Sequence, residues 1–147
     1  MQILFVCTGN TCRSPMAEGF FNNISSQKGI DASASSAGIS VFPMSCVSPF
    51  SVLAMNEYDI DISSHNPAQL NVEHIKNADL ILTMTSNQAA YLKMAYPENL
   101  NKIFSLAEYT LTLDISDPYG QGQDVYRKCA EEIRKAVLIL CESIESK

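Results

Sequence analysis

The chain has 147 residues, the size of one ordinary domain able to bury its own core. A hydrophobic fraction of 46% with 18% charged residues excludes a disordered chain, and no apolar run approaches the ~18 residues of a membrane helix. A net charge of −6 argues against a general nucleic-acid binder, which needs a basic face, but leaves room for a local positive pocket.

The apolar run at the start, Ile3-Leu4-Phe5-Val6, has no basic leader and is too short for a signal peptide, so the chain is read as cytoplasmic. Five cysteines, odd in number and scattered, do not suggest a disulfide framework. The two histidines complete no zinc spacing with them.

Short apolar runs alternate with helical patterns, which predicts a single α/β domain with a parallel sheet covered by helices. Residues 3–6 read as a central strand buried on both faces. A helix is expected from about Pro15 to Lys28, because Met16, Phe20 and Ile24 fall four apart with Ala17 and Phe21 beside them. Gly29 is placed to end it. A weak second strand is expected over residues 31–37. Ser48-Pro49 reads as the cap and first position of a helix reaching about Met55. A third strand at 79–84, a helix at 86–95 and a fourth strand at 103–106 follow. The last helix is expected over about 125–145, with Val125, Cys129, Ile133, Val137 and Cys141 as its apolar row. Residues 107–124 carry turn chemistry and read as a loop able to contribute to a site.

The informative segment is Cys7-Thr8-Gly9-Asn10-Thr11-Cys12-Arg13-Ser14-Pro15, between the first strand and the first helix. Ligands of open α/β sheets bind at the carboxyl ends of strands, near helix N-termini. A loop there can aim successive backbone N–H groups at one anion, and the helix dipole adds to the attraction. Gly9 is expected to supply any positive φ the loop needs, Ser14 to cap the helix, and Pro15 to occupy its first position. Cys7 then sits where a thiolate, the reactive form of cysteine, is favoured. Arg13, six residues on, offers a fork of donors suited to two phosphate oxygens. The bare Cys-x5-Arg spacing is weak evidence, since a buried Cys7 with a solvated Arg13 fits it too. The flanking strand, the glycine and the Ser-Pro helix start strengthen it.

Residues 7–18, Cys-Thr-Gly-Asn-Thr-Cys-Arg-Ser-Pro-Met-Ala-Glu, resemble the signature of low-molecular-weight protein tyrosine phosphatases. The resemblance extends over the whole chain, in length, near-N-terminal loop, strand–helix order and a late Asp-Pro. It implies a four-stranded parallel sheet with helices on both faces, no metal and no cofactor. It makes Cys7 the nucleophile, Arg13 the phosphate binder and Ser14 the hydroxyl that stabilises the thiolate. Backbone groups of Thr8, Gly9, Asn10, Thr11, Cys12 and Arg13 become the phosphate cradle, and the Asn10 side chain shapes the loop. Ser36 and His65 match positions that brace the loop in relatives, against a bland reading as a strand-end serine and a surface histidine. Cys12 is a candidate for a reversible disulfide with Cys7. Cys46, Cys129 and Cys141 read as core or surface residues.

Cleaving a phosphomonoester requires a proton for the leaving group. Asp114, Asp117 and Asp124 lie in the polar loop. Asp117 precedes Pro118, which stiffens the backbone, and Asp117-Pro118-Tyr119 matches the family's acid loop. Asp117 is therefore taken as general acid, with Asp114 as a solvated loop residue and Asp124 as a helix-start residue. Tyr119 and Phe42 are expected to line the pocket, and Gly120 replaces a second bulky residue of some relatives. Thr11 departs from the apolar residue of many tyrosine-specific members and resembles the bacterial protein-arginine phosphatase branch. Phosphoarginine and phosphotyrosine both stay open, with the lean toward phosphoarginine. A thioredoxin-coupled arsenate reductase would need two further cysteines after the third strand, and residues 83–100 have none. A phosphoprotein-binding module would lack nucleophile or acid. The expected partners are phosphorylated proteins, with no nucleic acid and no membrane, met by a monomer.

Overall fold

The computed structural model describes residues 1–146. Its centre is a four-stranded, all-parallel sheet of β1 (Gln2–Cys7), β2 (Ser33–Gly38), β3 (Leu80–Thr83) and β4 (Ile103–Ser105), in the order β2-β1-β3-β4. The helices are α1 (Arg13–Lys28), α2 (Pro49–Asn56), α3 (Val72–Asn77), α4 (Ser86–Ala95), α5 (Leu106–Thr110) and α6 (Gln123–Glu145), with a 3-10 turn at Pro97–Lys102. Among the described residues, no helix is long and apolar enough to cross a membrane.

Strand alternation divides the core in two. Ile3, Phe5 and Cys7 of β1 face the cluster built with Met16, Phe20, Phe21, Met55, Ile133 and Val137, on the side of α1, α2 and α6. Leu4 and Val6 face the other cluster with Ile75, Ile81, Leu92 and Ile103, on the side of α3 and α4. Both faces of β1 are thus dry, which explains its unbroken apolar run. The chain leaves β1 toward β2 on one side and later returns to β3 on the other. The carboxyl end of β1, carrying Cys7, lies at that divergence, where such sheets bind ligands.

The expected strands all form, with the second ending at Gly38 rather than residue 37. The helix at 86–95 has the expected bounds. Gly29 ends α1 with φ 67, its N–H reaching the Ser25 and Ser26 carbonyls. Three expectations need correction. First, α1 starts at Arg13, so Ser14 and Pro15 lie inside its first turn and Ser14 does not cap it. Second, the loop expected over 107–124 is entered by α5. Third, α6 starts at Gln123 and turns Tyr126 inward, while Val125 stays exposed. The tyrosine ring stacks near Phe50 at 5.2 Å and takes the buried place on the stripe. Helix α3 lacked an obvious start signal because its capping box pairs Asn71 with His74 instead of with Glu or Gln.

Gly38, at the end of β2, lies directly beneath the 7–13 loop. A Cβ there would meet Val41 Cγ2 at 2.7 Å, the Thr8 carbonyl oxygen at 2.9 Å and Asn10 Cβ at 3.0 Å. Backbone cannot yield as a side-chain tip can. Gly38→Ala is therefore expected to destabilise the fold by about 1–3 kcal/mol. Urea unfolding of the variant measures this, and an unchanged midpoint would contradict the close packing of strand against loop.

Candidate active site

The loop from Cys7 to Arg13 connects β1 to α1 with no excess length, so its shape must be imposed by side chains. Asn10 imposes it. It is fully buried and holds φ 56, the left-handed conformation that sequence reasoning assigned to Gly9. Asparagine tolerates this region better than most residues. Each polar group of its side chain is engaged. Nδ2 donates to Ser14 Oγ at 2.8 Å and Ser36 Oγ at 3.0 Å, and Oδ1 accepts from the Ala68 N–H at 2.9 Å. His65 Nε2 lies 3.1 Å from the Asn10 carbonyl oxygen and 3.2 Å from Oδ1. Two acceptors facing one ring nitrogen require it to carry the proton, which fixes the His65 tautomer.

The same logic orients the hydroxyls. Ser14 Oγ accepts from Asn10, so its own proton is free to point at Cys7 Sγ, 2.9 Å away. Ser36 Oγ accepts from Asn10 and donates to Glu18 Oε1 at 2.5 Å. Glu18 Oε1 also lies 3.9 Å from His65 Nδ1. Cys7 is buried at the floor of this arrangement, with a hydroxyl donor aimed at its sulfur.

Arg13 is 4% exposed and donates through Nη1 to the Ile115 carbonyl at 2.9 Å. Its Nη2 lies 3.7 Å from Asp117 Oδ2, a carboxylate 55% exposed at the mouth. Asp117 Oδ1 accepts from the Tyr119 N–H at 3.1 Å, and Gly120 turns the loop with φ 79. That φ favours glycine at this position. A cavity of about 730 Å³ opens above Cys7. Its wall includes Thr11, Cys12, Arg13, Phe42, Asp117 and Tyr119, so both aromatics sit where the sequence placed them, well exposed at the rim.

A model of the family described as low molecular weight phosphotyrosine protein phosphatase matches residues 2–147. The chain belongs to this family. A protein-arginine-phosphatase of Bacillus subtilis is 34% identical over 147 residues, covering 99% of this chain and 97% of that one. A low molecular weight protein tyrosine phosphatase structure from T. tengcongensis is 45% identical, with TM-score 0.94 and coverage of 97% and 99%. The arginine phosphatase YwlE, solved as a cysteine-to-serine variant with a phosphorylated active-site serine, is 33% identical with TM-score 0.94 and coverage of 99% and 96%. Family membership makes this chain a cysteine-dependent protein phosphatase.

Within this phosphatase, Cys7, Thr8, Gly9, Thr11, Cys12, Arg13, Phe42, Asp117 and Tyr119 line the cavity, and Ser14, Ser36 and His65 join the Asn10 network. Cys7 and Cys12 are both free and line the same cavity. Cys46 is exposed at its wall, while Cys129 and Cys141 are buried in the core. Asp114 is an exposed loop residue, as expected, and also ties the loop to α4. Its Oδ2 accepts from the Ser86 N–H at 3.1 Å and hydroxyl at 3.0 Å. Sequence reasoning missed Glu18, Gln88 and Tyr126. Gln88 Nε2 donates to Thr8 Oγ1 at 3.1 Å, and the Tyr126 hydroxyl lies 3.4 Å from Cys12 Sγ. The Thr85-x-x-Gln88 capping box was legible as a helix start, but nothing local announced its reach to the loop.

Burial pushes the Tyr126 hydroxyl up to about 12, with the Cys12 contact adding to the shift. Burial pushes the thiols of Cys129 and Cys141 up to about 12 and about 11. The unfolded chain therefore releases these protons from about pH 9, the ordinary thiol value, while the fold retains them. Fewer protons on the unfolded state means that stability is lost as pH rises. The melting temperature is expected to fall progressively between pH 9 and 11, and a flat profile would contradict the buried, protonated state of these groups.

Proposed function

We propose that this phosphatase hydrolyses phosphoarginine in proteins, through a phosphocysteine formed on Cys7. The observation that carries the substrate reading is Thr11. Its half-buried side chain lines the cavity within the phosphate loop, giving a hydrogen-bonding wall where an aryl ring would favour an apolar one. The relatives described as arginine phosphatases support it.

In this reading the loop amides and Arg13 hold the phosphoryl oxygens. The Cys7 thiolate attacks phosphorus, forming the S–P bond as the P–N bond to the guanidine breaks. Asp117 gives its proton to the leaving nitrogen. It then takes a proton from the water that attacks the phosphocysteine, and inorganic phosphate leaves as the thiolate is restored. Ser14 stabilises that thiolate as leaving group. Ser36, His65 and Glu18 act through Asn10 on the shape of the loop. The loop, clamp and acid all come from one chain, which fits a monomer. Five free thiols fit a reducing, cytoplasmic setting.

Phosphotyrosine is the second reading. It is favoured by the aromatic rim of Phe42, Phe50 and Tyr119 and by the 45% identical structure described as a tyrosine phosphatase. Parallel phosphate-release assays on phosphoarginine and phosphotyrosine peptides, in reducing buffer with Cys7→Ser as control, separate the two. Release from the arginine peptide, lost in the control, is expected. Thr11→Ile is expected to shift the activity ratio toward the tyrosine peptide. Preferential release from the tyrosine peptide by the unaltered enzyme would overturn the substrate reading and keep the mechanism. Asp117→Asn is expected to lower turnover by about 10²–10⁴-fold, as loss of a general acid does.

A further inference from the structure

The residue after the nucleophile is held from outside the loop. Thr8 follows Cys7 directly and lies exposed on the cavity wall. Its carbonyl accepts from the Ser40 N–H at 2.9 Å, and its hydroxyl accepts from Gln88 Nε2 at 3.1 Å. Its peptide is therefore clamped on both flanks, against β2's exit on one side and α4 on the other.

Gln88 is suited to be an anchor. It is buried, and its side-chain oxygen accepts from the Met84 N–H at 3.0 Å and the Thr85 N–H at 3.1 Å. Its own N–H donates to Thr85 Oγ1 at 3.2 Å, closing the capping box of α4. With both acceptor contacts made, the amide cannot rotate, and Nε2 is left pointing at Thr8.

The turn that holds Gln88 also holds the acid loop. The Met84 carbonyl accepts from the Ile115 N–H at 3.0 Å, and the Ile115 carbonyl accepts from Arg13. Ser86, one helical position into α4, binds Asp114 through both its N–H and its hydroxyl. One short segment, residues 84–88, thus touches the loop that cradles phosphate and the strand of chain that carries Asp117.

We infer that Gln88 is a positioning residue for phosphate binding: it fixes Thr8, and through the 84–88 turn it keeps the phosphate loop in register with the Arg13–Ile115–Asp117 side of the cavity. It touches neither substrate nor the reacting atoms. The inference rests on reading residues 7–13 as the phosphate loop.

Competitive inhibition by inorganic phosphate reports the loop's shape without passing through chemistry. It is to be measured, with kcat, KM and melting temperature, on the wild type, Gln88→Met, Thr8→Val and the double variant. Gln88→Met is expected to weaken phosphate inhibition about threefold to tenfold, the scale of one well-made hydrogen bond. Thr8→Val is expected to weaken it in the wild type and to add nothing in the Gln88→Met background. Independent, multiplying effects, or a lowered melting temperature with unchanged phosphate inhibition, would overturn the inference and leave Gln88 a helix cap.

Gln88→Glu guards against simple misfolding. One carboxylate oxygen can keep the Met84 and Thr85 contacts, while the other replaces the donor and brings negative charge toward the loop. A melting temperature near wild type with weaker phosphate inhibition is expected, and unchanged inhibition there also overturns the inference. A wild type not inhibited by phosphate and as active as Cys7→Ser would bring down the loop reading itself. That signature is distinct from an unchanged inhibition constant in a phosphate-inhibited, Cys7-dependent enzyme.

Discussion

The active site depends on one buried asparagine. Only residues 8–12 join β1 to α1, and Asn10 holds the turn at φ 56. A left-handed residue is costly unless its surroundings over-determine it. Here they do: Ser14, Ser36, Ala68 and His65 meet all of its polar groups. These partners come from α1, β2 and the segment before α3, so the loop cannot change shape without disturbing three parts of the fold. The hydroxyl of Ser14 then has one direction left for its proton, toward Cys7. The hydroxyl that faces the Cys7 sulfur is thus oriented by Asn10, which does not itself touch that sulfur.

A second constraint comes from the sheet. Alternation along β1 sends Phe5 and Cys7 to the face covered by α1 and α6. Gly38 lets β2 run close beneath the loop, and the start of α4 closes its other flank. The loop that carries Asp117 is fastened to that same start of α4. Cys7 and Asp117 are separated by 110 residues in sequence, yet residues 84–88 contact the segments that carry both.

The parts of this site that are contiguous in sequence were legible there. Cys7, Asn10, Arg13 and Ser14 fall within eight residues, and their spacing already describes a nest at a helix start. Asp117 was singled out by the Asp117-Pro118-Tyr119 resemblance, and the structure places it at the cavity mouth beside Arg13. Strand β1 was legible as an unbroken apolar run, and helices α1 and α6 through periodicity, since each packs one face on a large core. The short α3 and α5 were not, because five or six residues are too few to show a period. The placement of the positive φ was misread because glycine is the usual bearer and the partners that pay for Asn10 lie up to 58 residues away. Gln88 and Tyr126 escaped for the same reason. Their contacts with the loop span 80 and 114 residues, and locally they are a helix cap and a helix-face residue.

The most direct test of the account is chemical trapping of the intermediate. The protein is mixed with a phosphorylated peptide, quenched in acid within the first turnovers, and digested for mass spectrometry. One phosphoryl group on the peptide carrying Cys7, absent in Cys7→Ser, is the expected result. Turnover with no covalent phosphoryl group, or with the group on another residue, would contradict the claim that this loop exists to make Cys7 a nucleophile.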